Sequence, residues 1–285
     1  MTLAEHHTER SAEAGIHRIS RLGIVNEYLV VEDDGLTLID TGLAGTHRLI
    51  LARAAALGVP VVRIVLTHAH RDHRGSLEAL AAALPGVQVI ASVREAELLA
   101  GNTEPRDHEP AGPLRGFRAV AIRPARLVED GDTIGSLRVL ATPGHTPGHL
   151  AFFDTRNGTL YAGDAFTTTR GVATSAVVPW QYPMAGLATW NRGLALESAR
   201  RLRDLDPVRL ASGHGPIIEA PGPAMARAIA HAARKIQHPR PGHCAHPREP
   251  GHDQTRRTRP CTTRRPRLQD RPGAPELACL TSSLT

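Results

Sequence analysis

The run Thr67-His68-Ala69-His70-Arg71-Asp72-His73 places four potential metal ligands within six positions. In extended backbone, side chains two residues apart point the same way, so His68 and His70 can converge on one ion. Asp72 and His73 then turn toward a neighbouring position. A carboxylate there also sits favourably before the helix predicted from about Ser76. Three further donors each follow a predicted strand: His145 in Pro143-Gly144-His145, Asp164 in Ala162-Gly163-Asp164, and His214 in Ser212-Gly213-His214-Gly215. Singly, each reads as ordinary, since a lone His is commonly surface or core and Asp after Gly commonly a turn. Together they repeat one context. Glycine beside each donor lets backbone approach an ion closely, and strand-end loops are where α/β enzymes gather reactive groups. Imidazole and carboxylate donors without thiolate suit zinc, with manganese, iron and cobalt also compatible.

The H-x-H-x-D-H run followed by single His, Asp and His resembles the metallo-β-lactamase superfamily over about residues 16–235. That resemblance implies an α/β fold, a four-layer αβ/βα sandwich with a metal site at one edge between its two sheets. It implies that His68, His70 and His145 hold a first metal, that Asp72, His73 and His214 hold a second, and that Asp164 bridges them. Asp40, in Ile39-Asp40-Thr41-Gly42, matches a buried Asp that supports the ligands from behind in that family; an ordinary Asp-Thr-Gly turn is the alternative. Class B1 β-lactamases carry Cys where Asp164 stands, and flavo-diiron proteins carry Glu where His70 stands. The chain therefore resembles glyoxalase II-like thioesterases and lactonases more than either. It lacks a recognisable counterpart of the Lys/Arg-rich helical domain that binds glutathione in glyoxalase II, and Lys235 is its one lysine before the C-terminal tail.

The expected enzyme is a dinuclear zinc hydrolase acting on a small-molecule ester, thioester or lactone. Two ions sharing a hydroxide lower the pKa of water to about 7; that hydroxide would attack the carbonyl while Asp72 moves a proton. No protein nucleophile is required, which agrees with a body lacking cysteine and any Gly-x-Ser-x-Gly elbow. Phosphodiester hydrolysis, as in RNase Z-like members, is the alternative at the same site. A mononuclear iron enzyme resembling persulfide dioxygenases is another, though His73 and His214 favour two metals. A non-catalytic reading is a metal-stabilised scaffold, or RNA binding through an Arg-rich tail. Phe166, Trp180 and Tyr182, with Met184, follow Asp164 and are candidate substrate-pocket residues, or simply pack a long connection. His149, four residues after His145, is either a partner behind the ligands or a packing histidine.

These donors need elements that carry them to one place. Gly23 to Val31 and Leu36 to Ile39 read as strands joined by the turn Asp33-Asp34-Gly35. A helix is predicted from about Thr46 to Leu57, ended by Gly58 and Pro60. Val61–Leu66 reads as a buried strand, Ser76–Leu84 as a helix, Val87–Ala91 as a strand and Val93–Ala100 as a helix. Residues 102–126 show no period and suggest a lid or binding loop. Strands follow at Leu137–Thr142, Leu150–Asp154 and Thr159–Ala162, the last two joined through Asn157-Gly158. A helix over Ala188–Leu205, a strand over Val208–Ala211 and a helix over Ala224–Ile236 complete an alternation that specifies α/β layers.

Composition sets the outer limits. The 285 residues carry a net charge of +6. Nine Arg against four acidic residues lie beyond Ile236, so the body is nearly neutral. That disfavours nucleic acid as a substrate and leaves the basic tail as the one candidate nucleic-acid contact. Cys244, Cys261 and Cys279 also lie there. The organisation expected is a flexible N-terminus over 1–15, a catalytic domain over 16–236 and a disordered Pro/Arg-rich tail over 237–285. With neither a secretory signal nor a membrane-length apolar run, the expected location is the cytoplasm.

Overall fold

In the computed structural model, the strands predicted around the His-rich run lie side by side in one sheet. The described residues are 16–179 and 183–237, all within one compact unit. The expectations for residues 1–15 and for the tail from 238 lie outside the described residues, as do Trp180, Tyr182 and the side chain of Met184.

The first sheet runs β1 (Ile16–Arg21), β2 (Val25–Glu32), β3 (Gly35–Ile39), β4 (Val61–Val65), β5 (Gln88–Ser92) and β6 (Arg126–Val128) in spatial order. Glu32 pairs with Gly35, so Asp33-Asp34 forms the two-residue hairpin loop expected. From β3 onward the pairings are parallel. Parallel neighbours need crossovers. These are α1 (His47–Leu57), the pair α2 (Arg71–Arg74) and α3 (Leu77–Ala83), and α4 (Val93–Leu99) with the irregular stretch after it.

The second sheet is ordered β14 (Ile218–Glu219), β13 (Arg209–Ser212), β10 (Thr159–Gly163), β9 (Leu150–Asp154), β8 (Leu137–Ala141) and β7 (Thr133–Ile134). The hairpin at Asn157-Gly158 forms, and β13 joins β10 in parallel. A small pair, β11 (Phe166–Thr167) and β12 (Ala173–Thr174), follows Asp164; α5 (Pro183–Ala188), α6 (Arg192–Arg203) and α7 (Gly222–Gln237) complete the chain.

Strand alternation generates the layers. Tyr28, Val30, Ile39, Val65 and Ile90 pack between the sheets against Val139, Leu150, Phe152 and Tyr161. Their neighbours Leu29, Leu38, Ile64 and Val89 face the other way, onto Ile50 of α1, Leu80 of α3 and Leu98 of α4. On the second sheet Leu140, Ala151, Leu160 and Leu210 turn outward onto Leu196 and Leu202 of α6 and Met225 of α7. With period two and apolar residues on both faces, each sheet needs cover on both sides. Each buried Leu, Ile or Phe contributes about 1.5–3 kcal/mol. The result is the four-layer αβ/βα sandwich.

Three details differ from expectation. Strand β1 forms ahead of the predicted first strand, and short β6, β7, β11, β12 and β14 complete the sheets. The helix expected over 188–205 is broken at 189–191. There the N–H groups of Trp190 and Asn191 bond to the carbonyls of His145 and Gly144, 3.0 and 2.8 Å away, so they cannot extend a helix. Asn191 instead caps α6, its side chain accepting from Leu194 N at 3.0 Å. No helix among the described residues is long and apolar enough to cross a membrane.

Candidate metal centre

Because β3 and β4 are parallel, Asp40 and the 67–73 run leave the first sheet at the same edge. Parallel pairing of β10 and β13 does the same for Asp164 and His214 in the second. The edges are tied across the sandwich: Leu150 N donates to Thr67 O at 2.9 Å, and Tyr28 OH to Ser212 O at 2.7 Å. Asn26 Nδ2 donates to Ser212 O at 2.9 Å and to Gly215 O at 2.6 Å. Gly213 is required by crowding here, since a Cβ would lie 2.5 Å from His73 Cε1 and 2.6 Å from Asp164 Oδ1.

All seven predicted donors meet at this edge. His68, His70 and His145 form one trio able to hold a metal, and Asp72, His73 and His214 form another; His68, His73 and Asp164 also group together. His70 Nδ1 lies 3.0 Å from His145 Nε2. Asp164 faces both trios, with Oδ2 3.4 Å from His145 Nε2 and Oδ1 3.3 Å from His73 Nε2 and 3.2 Å from His214 Nε2. Asp72 Oδ2 is 3.5 Å from His214 Nε2. The Asp72 side chain is 32% exposed against 4% for Asp164, so the centre opens to solvent beside Asp72.

Partners behind the ligands dictate which nitrogen faces inward. The Arg115 carbonyl lies 3.1 Å from His70 Nε2 and the Ile24 carbonyl 3.0 Å from His214 Nδ1. Carbonyls only accept, so each neutral ring carries its proton there and turns its other lone pair inward. Asp40 Oδ2, 2.8 Å from His73 Nδ1, acts likewise. Thr67 Oγ1 donates to Asp40 Oδ2 at 2.7 Å, so it accepts from His68 Nδ1 at 3.0 Å and frees His68 Nε2. That nitrogen is buried with no hydrogen-bond partner, an arrangement costly in an apolar interior unless a cation takes the lone pair. His145 Nδ1 lies 3.2 Å from Thr189 Oγ1. The donor set thus fits divalent metal.

Burial and the neighbouring carboxylates set the protonation of the cluster. Burial holds His68 and His145 well below the usual imidazole range, keeping them neutral. Burial opposes ionisation of Asp164, but His214 and His73 overcome it and hold the carboxyl well below its usual range. Burial likewise opposes charge on His73, and Asp164, Asp72 and Asp40 outweigh it, raising that imidazole.

Asp40 is buried and adopts φ +60°, a conformation that Asp tolerates better than most residues. Its Oδ1 also accepts Thr67 N at 2.8 Å, so it organises the run instead of forming a simple turn. His149 Nε2 accepts the backbone N–H of Asp164 at 3.1 Å, its Nδ1 is 2.7 Å from Thr142 Oγ1, and burial lowers its pKa to about 3. It therefore stands directly behind a candidate ligand. Phe166 does not line an opening: it is fully buried among Leu140, Leu160, Leu196 and Met225. The alternation of β11 turns it into the core, so its assignment as a pocket residue is corrected.

Several contributors escaped the sequence reading. Thr67 sat in plain view beside the ligands. Phe117 stacks on His70 with centroids 4.9 Å apart, from a connection without any period. Arg115, Ile24 and Thr189 act through a carbonyl or a distant hydroxyl, which no local spacing reveals.

The profile of the metallo-beta-lactamase superfamily matches residues 20–214. Uncharacterized protein YobT of Bacillus subtilis (strain 168) is 45% identical over 212 residues, covering 74% of this chain and 91% of YobT. A hydroxyacylglutathione hydrolase of Gloeobacter violaceus is 31% identical over 153 residues, 52% of this chain and 52% of that protein, so the likeness spans about half its length. Among solved structures, TTHA1623 in a di-iron-bound form aligns with a TM-score of 0.54 and 29% identity, over 73% of this chain and 95% of that one.

Proposed function

The chain belongs to the metallo-β-lactamase superfamily, and from that premise we propose that it is a dinuclear metal hydrolase cleaving the carbonyl of an ester, thioester or lactone. His68, His70 and His145 would hold one ion, Asp72, His73 and His214 the other, and Asp164 would bridge. The observation that carries this reading is the single buried carboxylate of Asp164, whose two oxygens face separate histidine-containing trios. Zinc suits these donors; the di-iron form of TTHA1623 supports iron as the alternative.

Bound divalent ions would supply Lewis acidity toward a carbonyl oxygen and toward water. The chain's own part is orientation and proton handling. Outer partners hold five imidazoles with a lone pair inward. Asp72, 32% exposed where the centre meets solvent, would take a proton from an attacking water and return it to the leaving group. The near-neutral body supports an uncharged or weakly charged substrate over a polynucleotide. The hydroxyacylglutathione hydrolase relative supports acyl chemistry. The trio with His73 and His214 weighs against a mononuclear iron oxygenase.

Metal analysis of purified protein, with turnover of matched thioester, lactone and phosphodiester substrates, tests this. Two equivalents of divalent metal and preferred carbonyl substrates are expected. His70→Ala and Asp164→Ala should lose turnover while circular dichroism stays native. A single iron with oxygen consumption, or full turnover in either variant, overturns the reading.

A further inference from the structure

Glu95 belongs to neither trio, yet its carboxylate is fully buried between the two loops that deliver the first one. Oε2 accepts the N–H of Ala69, the residue between His68 and His70, at 2.7 Å. Oε1 accepts the hydroxyl of Thr146 at 2.5 Å and the N–H of Gly148 at 3.1 Å, immediately after His145. Ser92 adds a second strut: its hydroxyl donates to Gly148 O at 2.7 Å and accepts Glu95 N–H at 3.1 Å. Gly148 permits the approach, since a Cβ there would lie 2.6 Å from Ser92 Oγ and 2.8 Å from Glu95 N.

This arrangement exceeds what the helix requires. Ser92-x-x-Glu95 is the signature of a capping box, in which the glutamate would return to the N–H of its own cap. Here Ser92 caps, but Glu95 reaches across to two other loops. Its adjacent arginine gives no counter-charge by contact: Arg94 bonds Glu109, Glu97 and the carbonyls of Asn102 and Glu104. Three neutral donors hold the carboxylate, and burial pushes it up to about 7.

Resting on the reading that these loops hold a metal, we propose that Glu95 is a positioning residue: its two oxygens set the spacing of the 68–70 and 145–148 loops so that His68, His70 and His145 reach one cation. A carboxylate suits this because both oxygens accept. Glutamine has the same length but replaces one acceptor with an NH2 group, which would face either Ala69 N–H or the Thr146 and Gly148 donors.

Cobalt titration of the metal-free full chain against a competing chelator tests this, read as affinity, stoichiometry and the visible cobalt bands. Glu95→Gln should bind the ion of the first trio about 10- to 100-fold more weakly, with altered bands while circular dichroism stays native. Wild-type affinity and bands in that variant overturn the proposal, because a merely structural role would lower stability and leave the bands alone. Should Glu95→Gln not fold, Thr146→Val removes one donor of the three. It should weaken binding about 2- to 10-fold, and unchanged affinity and bands would overturn the proposal. Failure of the wild-type chain to bind cobalt would instead remove the metal reading beneath it.

Discussion

At the scale of single residues, the centre depends on acceptors behind the imidazoles as much as on the imidazoles. Arg115 O, Ile24 O, Asp40 and Thr67 each select a tautomer. Spacing exposed the candidate ligands because four of them are neighbours in the chain; it could not expose a carbonyl 45 residues from the ring it holds. Glu27, on β2, illustrates another invisible contribution. It is fully buried, neither carboxylate oxygen has a hydrogen-bond partner, and burial pushes its pKa up to about 8. The folded state therefore retains a proton that the unfolded chain releases near pH 4.5. This contribution to stability is complete below pH 4.5 and is lost as pH rises through about 8. Glu27→Gln should consequently gain stability relative to wild type as pH rises from 5 to 9. The gap should widen by up to about 1.4 kcal/mol per pH unit within that window. Urea denaturation of metal-free protein at the two ends measures it, and a pH-independent gap would contradict the assignment.

Among elements, strands and helices that join the sheets were readable where period and stop signals were strong. Gly58 ends α1 with φ +67°, and Asn157-Gly158 turns β9 into β10. The break before α6 was not readable, because the competing acceptors are the carbonyls of Gly144 and His145, far away in sequence. Asn191 makes that break productive by capping α6. Asn191→Ala should cost about 1 kcal/mol and lower Tm by roughly 2–4 °C, whereas Asn191→Asp should stay near wild type. Thermal melts of the metal-free chains distinguish these outcomes. The stretch expected to lack a period, 102–126, is without regular structure up to residue 125, where β6 follows, yet it contacts the centre: Arg115 bonds His70, Phe117 stacks on it, and the Arg118 carbonyl takes Arg74 Nη2 at 2.7 Å.

For the whole molecule, every candidate ligand and outer partner lies between Ile24 and His214, and α7, ending at Gln237, is the last described element. A chain terminated after Gln237 should keep its metal content and turnover. Its net charge should fall from +6 to +1, because nine arginines and four acidic residues go with the deleted segment. Cation-exchange retention and turnover measured side by side check this; lost turnover would assign the basic segment a part in the chemistry. Sequence alone determined the fold class and which seven His and Asp side chains come together, because these were clustered or set at strand ends and alternation of apolar residues is local. Tertiary structure alone decided which nitrogen each imidazole presents, that Phe166 belongs to the core, and that Glu95 links two loops. Those facts depend on distances between segments remote in the chain, and only the packing of two sheets face to face sets such distances.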